Sequence, residues 1–162
     1  LVSFFCLQAI NGRIATQLTE DISIVFPDTV EVNKMDDFTK IYLLVNDSFT
    51  ITAAVTLIEE NVTKDSIQKI NGHDANAFNF CKAADGTQLK TAWSKLKTAD
   101  RIHFSFQNSD MGEDGLPHSY KHTGIILYHK QTITIIDFIT PLKNEKNTEV
   151  IRANLFQSIE IH

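Results

Sequence analysis

The chain has 162 residues, 43% of them hydrophobic and 22% charged, which is the length and composition of one folded domain. At this size folding buries roughly 70% of the unfolded surface, so neither disulfides nor a metal is needed to hold a core. Fifteen basic against twenty acidic residues leave a net charge of -5, which excludes a nucleic-acid binder driven by phosphate neutralisation. No apolar run reaches the roughly 20 residues of a transmembrane span.

Leu1 to Ala9 reads as the tail of a signal-peptide apolar region, with Leu7-Gln8-Ala9 as a peptidase site. Residues 1–15 are therefore expected to be a leader, 16–162 a single domain, and the protein exported to the periplasm or cell surface. Cys6 invites a lipid-anchor reading, but bulky Phe5 stands where lipoprotein processing needs a small residue. A buried N-terminal strand is the alternative. With two cysteines, Cys6 and Cys81, the chain has no disulfide framework and no four-cysteine zinc site. The sequons at Asn46 and Asn61 carry little weight.

Ile22, Ile24 and Phe26 alternate with polar partners until Pro27-Asp28 breaks the run, which predicts a half-buried strand resumed by Val30 and Val32. Residues 40–45 and 49–58 flank Asn46-Asp47-Ser48 and predict a hairpin. In its second arm Ile51, Ala53, Val55 and Leu57 share one face, and Thr50, Thr52 and Thr56 the other. The period then becomes helical, through Ile67, Ile70, Ala77, Phe78, Cys81 and Ala84. Thr63 or Asp65 would cap this helix, Gly72 would weaken its middle, and Asp85-Gly86 would end it.

Residues 87–97 fit both periods and are read as a strand. Ile102, Phe104 and Phe106 alternate with Arg101, His103 and Ser105, and a polar loop over 108–115 follows. A second hairpin spans 119–128 and 132–139, turning at 129–131 and stopped by Thr140-Pro141. Asn147 or Thr148 would cap a last helix burying Ile151, Leu155 and Ile159. The order predicts an α+β fold, an antiparallel sheet covered by helices as an α/β/α sandwich.

That order, with Ile-Ser-Ile-Val-Phe-Pro at 22–27, the 40–58 hairpin, Ile-His-Phe-Ser-Phe at 102–106, Tyr120 to Tyr128 and the closing Phe156-Gln-Ser-Ile159, resembles the PsbP-like family. The family's fold is shared by the extrinsic P subunit of photosystem II, a small Ran-binding nuclear-transport protein and an exported bacterial branch. The resemblance implies a noncatalytic accessory or protein-binding module, and brings no catalytic residues with it.

Among possible chemical constellations, Cys81 with His122 superficially resembles a cell-wall peptidase of the NlpC type, with Asp137 orienting the imidazole. Cys81, however, falls late in its helix, where the macrodipole disfavours a thiolate. A buried cysteine and a satisfied sheet histidine are the plainer reading. Asp110, Glu113, Asp114, His118 and His122 could supply metal ligands, although the histidines' i,i+4 spacing has meaning only on a helix. No Gly-rich phosphate loop, Walker pattern or Gly-x-Ser-x-Gly elbow occurs, so no cofactor is expected. The expectation is a protein-binding module with an unidentified protein partner. Its alternatives are a thiol hydrolase and a metal-binding accessory protein.

Overall fold

The computed structural model describes residues 9, 10 and 13–162, with the backbone alone at 9, 10, 13 and 64. Cys6, Leu7-Gln8 and the rest of the expected leader before Ala9 lie outside the described residues. Short ribbons open the chain: β1 (Ala9–Ile10) pairs with β2 (Arg13–Ile14), and β3 (Thr16–Gln17) with β4 (Ile22–Ile24). Both Ile22 and Ser23 are buried, so β4 is covered on both sides rather than half-buried. The strand ends at Ile24, short of the expected Phe26 and Pro27, and β5 (Glu31–Lys34) joins a different sheet and is exposed throughout.

The main sheet is antiparallel and seven-stranded. Its strands are β5, β6 (Thr39–Val45), β7 (Thr50–Leu57), β10 (Thr87–Leu96), β11 (Ala99–Met111), β12 (Pro117–His129) and β13 (Thr132–Pro141). In space they run β10-β11-β12-β13-β7-β6-β5. Both expected hairpins are present. Asn46 Oδ1 accepts from the backbone N–H groups of Ser48 and Phe49, which closes the β6–β7 turn. The expected 108–115 loop is mostly strand, because residues 108–111 stay paired with 117–120 and the turn is confined to 112–116. A bulge at the start of β10 places Gln88 at φ 59°.

The expected long helix from residue 63 is replaced by a one-turn 3-10 segment (Lys64–Ser66), a ribbon of β8 (Lys69–Ile70) and β9 (His73–Asp74), and the short helix α1 (Ala75–Ala83). Asn71-Gly72 decides this. Both residues have positive φ, 51° and 82°, and Lys69 and Ile70 pair with Asp74 and His73 across them. Asn-Gly suits such a two-residue turn, in which a helix cannot continue. Asp74 is the N-cap, its Oδ1 accepting from the Ala77 N–H at 2.9 Å. At the other end Gly86 N–H donates to Cys81 O and Asp85 N–H to Lys82 O, with Asp85 at φ 51°. That is a Schellman ending.

The second helix, α2 (Glu145–Gln157), has its N-cap at Asn144, three residues before the earlier of the two expected caps, and Thr148 lies inside its first turns. The Thr148 hydroxyl donates to the carbonyls of Asn144 and Glu145 rather than capping. Leu155 is buried from the helix, and Ile159 from the segment leading to β14 (Glu160–Ile161), which pairs with β4.

Two hydrophobic clusters lie on opposite faces of the main sheet. One joins Ile51, Ala53, Val55, Ile125, Leu127, Ile136 and Phe138 to α2 and the β14-β4-β3 sheet, with Phe49 stacked on Phe138 at 5.0 Å. The other joins Ile102, Phe104, Phe106, Ile126 and Tyr128 to Ala77 and Cys81 of α1. Layers on both faces give the α/β/α arrangement.

Asp21, just before β4, ties the small sheet to the large one. Its carboxylate accepts from Lys130 Nζ at 2.6 Å and lies 3.6 Å from His129 Nε2. The Lys130 ammonium holds the Asp21 carboxyl below its ordinary value of 3.8. A carboxyl depressed by folding stabilises the fold above its unfolded value and loses that contribution as pH falls. Asp21→Asn should therefore be less stable than the parent at pH 7, and urea unfolding should show the gap closing as pH drops below 3.8.

Candidate functional site

The α1 face of the main sheet is covered over only half its width. α1 and the β8–β9 ribbon sit over β10, β11 and β12, where they pack on Phe104, Phe106 and Tyr128. The register places Ile41, Leu43 and Val45 of β6 beside Ala54, Thr52 and Thr50 of β7 on that face. These β7 residues stand in turn beside Ile135, Asp137 and Ile139 of β13. Ile41, Leu43, Val45 and Ile139 belong to neither hydrophobic cluster. Val45 is 65% exposed, and the rest of this apolar surface is half-buried. Leu57, expected on the buried face of β7, is also exposed at the strand end.

At the border between the covered and open halves lies a buried, hydrogen-bonded polar couple. His122 on β12 faces Ile139, and Asp137 on β13 faces Gly124, so the two side chains are diagonal neighbours. Gly124 leaves no side chain between them, and His122 Nδ1 meets Asp137 Oδ2 at 2.6 Å. The imidazole stacks on Phe106 with centroids 4.3 Å apart, and Phe80 of α1 meets it edge-on at 6.5 Å. Burial pushes the Asp137 carboxyl up, against the lowering pull of His122. Neither His122 Nε2 nor Asp137 Oδ1 has a hydrogen-bond partner among the described residues.

Cys81 is buried in the last turn of α1. A Cβ built on Gly86 would lie 2.5 Å from Phe106 Cδ2 and 2.7 Å from Cys81 Sγ. Gly86 and the Phe106 ring thus pack closely against Cys81, which is 5% exposed on the wall of a surface cavity of about 520 Å³ shared with His73, Phe78 and Leu89. Because His122 Nε2 has no hydrogen-bond partner, the thiol is not bonded to it. Burial pushes the thiol up, which disfavours the nucleophilic thiolate. Of the three residues considered for thiol chemistry, the fold thus joins His122 to Asp137 and leaves Cys81 unbonded.

Asp110 pairs across the ribbon with His118, and His118 Nε2 lies 3.1 Å from Asp114 Oδ2. Leu116 N–H and His118 together hold the Asp114 carboxyl below its ordinary value. His122 stands four residues along the same strand from His118, about 13 Å at the usual rise. One ion cannot bridge both histidines. Among the described residues no three side chains of metal-ligating type gather as a cation site.

No protein-family model matches the chain, and no curated protein sequence does. Solved structures do match. Cyanobacterial PsbP (CyanoP) from Synechocystis superposes with a TM-score of 0.57 at 5% identity, over 91% of this chain and 90% of that one. The Ran-binding protein Mog1p of Saccharomyces cerevisiae gives 0.50 at 11% identity, over 91% and 94%. The fold is PsbP-like. At these identities the likeness is one of architecture, carried by the order and pairing of strands.

A sheet face or edge left uncovered by helices is the surface expected to meet a partner, but its residues were not placed from the sequence, although a signal for them exists. Residues 41–45, Ile-Tyr-Leu-Leu-Val, are apolar without alternation, a pattern of strands covered on both faces. Here one of those faces has no cover from the described chain. The His122–Asp137 couple depends on the space at Gly124, where an added Cβ would come within 2.3 Å of Phe104 Cζ and 2.4 Å of Ile136 O. Gly124→Ala should therefore cost about 3 kcal/mol in chemical unfolding, the upper part of the overpacking range. It should also perturb the His122 ring resonances, which face the same aromatic cluster.

Proposed function

We propose that this protein is a noncatalytic accessory module that binds a protein partner on the half of its sheet that α1 leaves open. The observation that carries this is the apolar, half-exposed surface of Ile41, Leu43, Val45 and Ile139, which packs into neither core cluster. Exposed apolar surface of that kind marks interaction sites on folded domains. The PsbP-like fold fits the proposal, since one protein sharing it, Mog1p, is named for binding Ran. The apolar start of the sequence, Leu1 to Ala9, adds export to the periplasm or cell surface as the setting.

The thiol-hydrolase alternative keeps one observation in its favour, the 2.6 Å contact that orients His122 on Asp137. It lacks an accessible, activated nucleophile, because Cys81 is buried and its thiol is pushed up. Alkylation separates the two. With iodoacetamide at pH 7, Cys81 should stay unmodified in the folded protein and react on unfolding, as read by peptide mass mapping. Rapid modification of the folded chain at Cys81 would move the assignment to thiol chemistry.

The binding site itself is tested with a photo-crosslinking residue at Val45, compared with one at Val150 on the exposed side of α2. In cells that make the protein, Val45 should yield a discrete protein adduct and Val150 none. Equal adducts at both positions, or none at Val45, would remove the open face as the binding surface.

A further inference from the structure

Resting on the open-face reading above, we infer that the partner element is a single amphipathic helix whose apolar stripe is flanked by lysine or arginine. Three features point to it: dimensions, layer geometry and charge. Strand β6 has seven residues, about 23 Å at the usual strand rise, and β6, β7 and β13 span about 14 Å across at the usual spacing. A helix of about 15 residues is about 23 Å long and about 10–12 Å in diameter. One such helix covers the patch, and a second would overhang it.

The neighbouring half of the same face already shows the packing. There α1 lies on β10, β11 and β12, through Ala77 and Cys81 against Phe104 and Phe106. A helix laid beside α1 completes that layer, as sheets with an apolar face are ordinarily completed. A strand, by contrast, would add at the edges β5 or β10 and leave the face bare.

Charge selects the helix's flanks. Along the open half of the face, β6, β7 and β13 carry no basic side chain, and the only ionisable one, Asp137, is buried. Its borders are predominantly acidic, since the nearby lysines Lys34 and Lys130 are already paired with Asp37 and Asp21. Glu31 pairs beside Leu43 on the exposed strand β5, and Glu59 and Glu60 are exposed in the segment that follows β7. Asp47 is exposed at the β6–β7 turn. A second copy of the chain would bring the same acidic border against this one, so like-charge repulsion disfavours a face-to-face dimer. Basic flanks on a helix meet this border with complementary charge.

The probe is a capped 15-residue peptide of Leu and Lys with Leu at helical i, i+3, i+4, i+7 spacing, beside a peptide of the same composition without that periodicity. Titration into the 15N-labelled protein should give saturable shifts confined to β6, β7 and β13 for the periodic peptide alone. Leu43→Glu and Val45→Glu each place a carboxylate in the patch, and Val150→Glu places one on α2. Purely electrostatic attraction to this acidic protein would be strengthened by any of them. Apolar docking should instead weaken at least about tenfold with either patch variant, and stay unchanged with Val150→Glu. Equal binding of the two peptides, tighter binding to the patch variants, or shifts on other elements would overturn the helix assignment. So would sedimentation of the free protein as a dimer that Val45→Glu dissociates. If the peptide fails while Val45 still crosslinks a protein in cells, only the helix assignment falls; if both fail, the open-face reading falls with it.

Discussion

Asp74 fixes where α1 lies, and with it which half of the sheet is covered. Its buried carboxylate caps the helix through the Ala77 N–H and accepts the Tyr128 hydroxyl at 3.0 Å, while Asn76 donates to that hydroxyl from the first turn. Tyr128 is itself buried between strands and stacked against Trp93 at 6.2 Å. A buried carboxylate is tolerable only when such donors replace water. The helix start is therefore tied to one point on β12. From there nine residues carry α1 over the β10–β12 half, and Asp85-Gly86 ends it there. The open patch on β6, β7 and β13 follows from that anchoring and that length.

The two faces differ in how completely they are closed. On one, α2 and the small three-stranded sheet bury a continuous cluster from Tyr42 to Leu155. On the other, the cluster under α1 stops near Ile133 and Ile135. Beyond it apolar side chains continue along the strands without a layer above them. Burial of apolar surface is the largest favourable contribution to folding, and on this half-exposed face those side chains realise only part of it.

The His122–Asp137 couple sits at the seam. It resembles part of a catalytic arrangement in its hydrogen bond, but its surroundings are those of a core. Phe106 covers one face of the imidazole, Phe80 approaches its edge, and Cys81 is buried in the last turn of α1 without a bond to His122. A nucleophile, a base and an orienting acid act together only when the first two share a proton path, and here the base's free nitrogen is not bonded to the thiol. The couple is better understood as a paired polar contact between β12 and β13 that the space over Gly124 makes possible.

The sequence by itself determined the α+β class, both long hairpins and the alternation that buries Ile102, Phe104 and Phe106, because these rest on local periodicity and turn chemistry; residues 87–97 fitted both periods, and pairing with β11 made them a strand. It also contained the Asn71-Gly72 turn, but a helical pattern of apolar residues on either side hid it until backbone dihedrals separated ribbon from helix. Pairing beyond neighbours was a tertiary decision. Which strand adjoins β7 depends on hydrogen bonds between residues about 80 apart, whereas Asp137 meets His122 across the local β12–β13 hairpin, as the sequence allowed. The open face was likewise invisible, since an apolar run such as Ile41 to Val45 states that both faces of a strand want cover. Only the reach of α1 from its anchor at Asp74 decides which of them goes without.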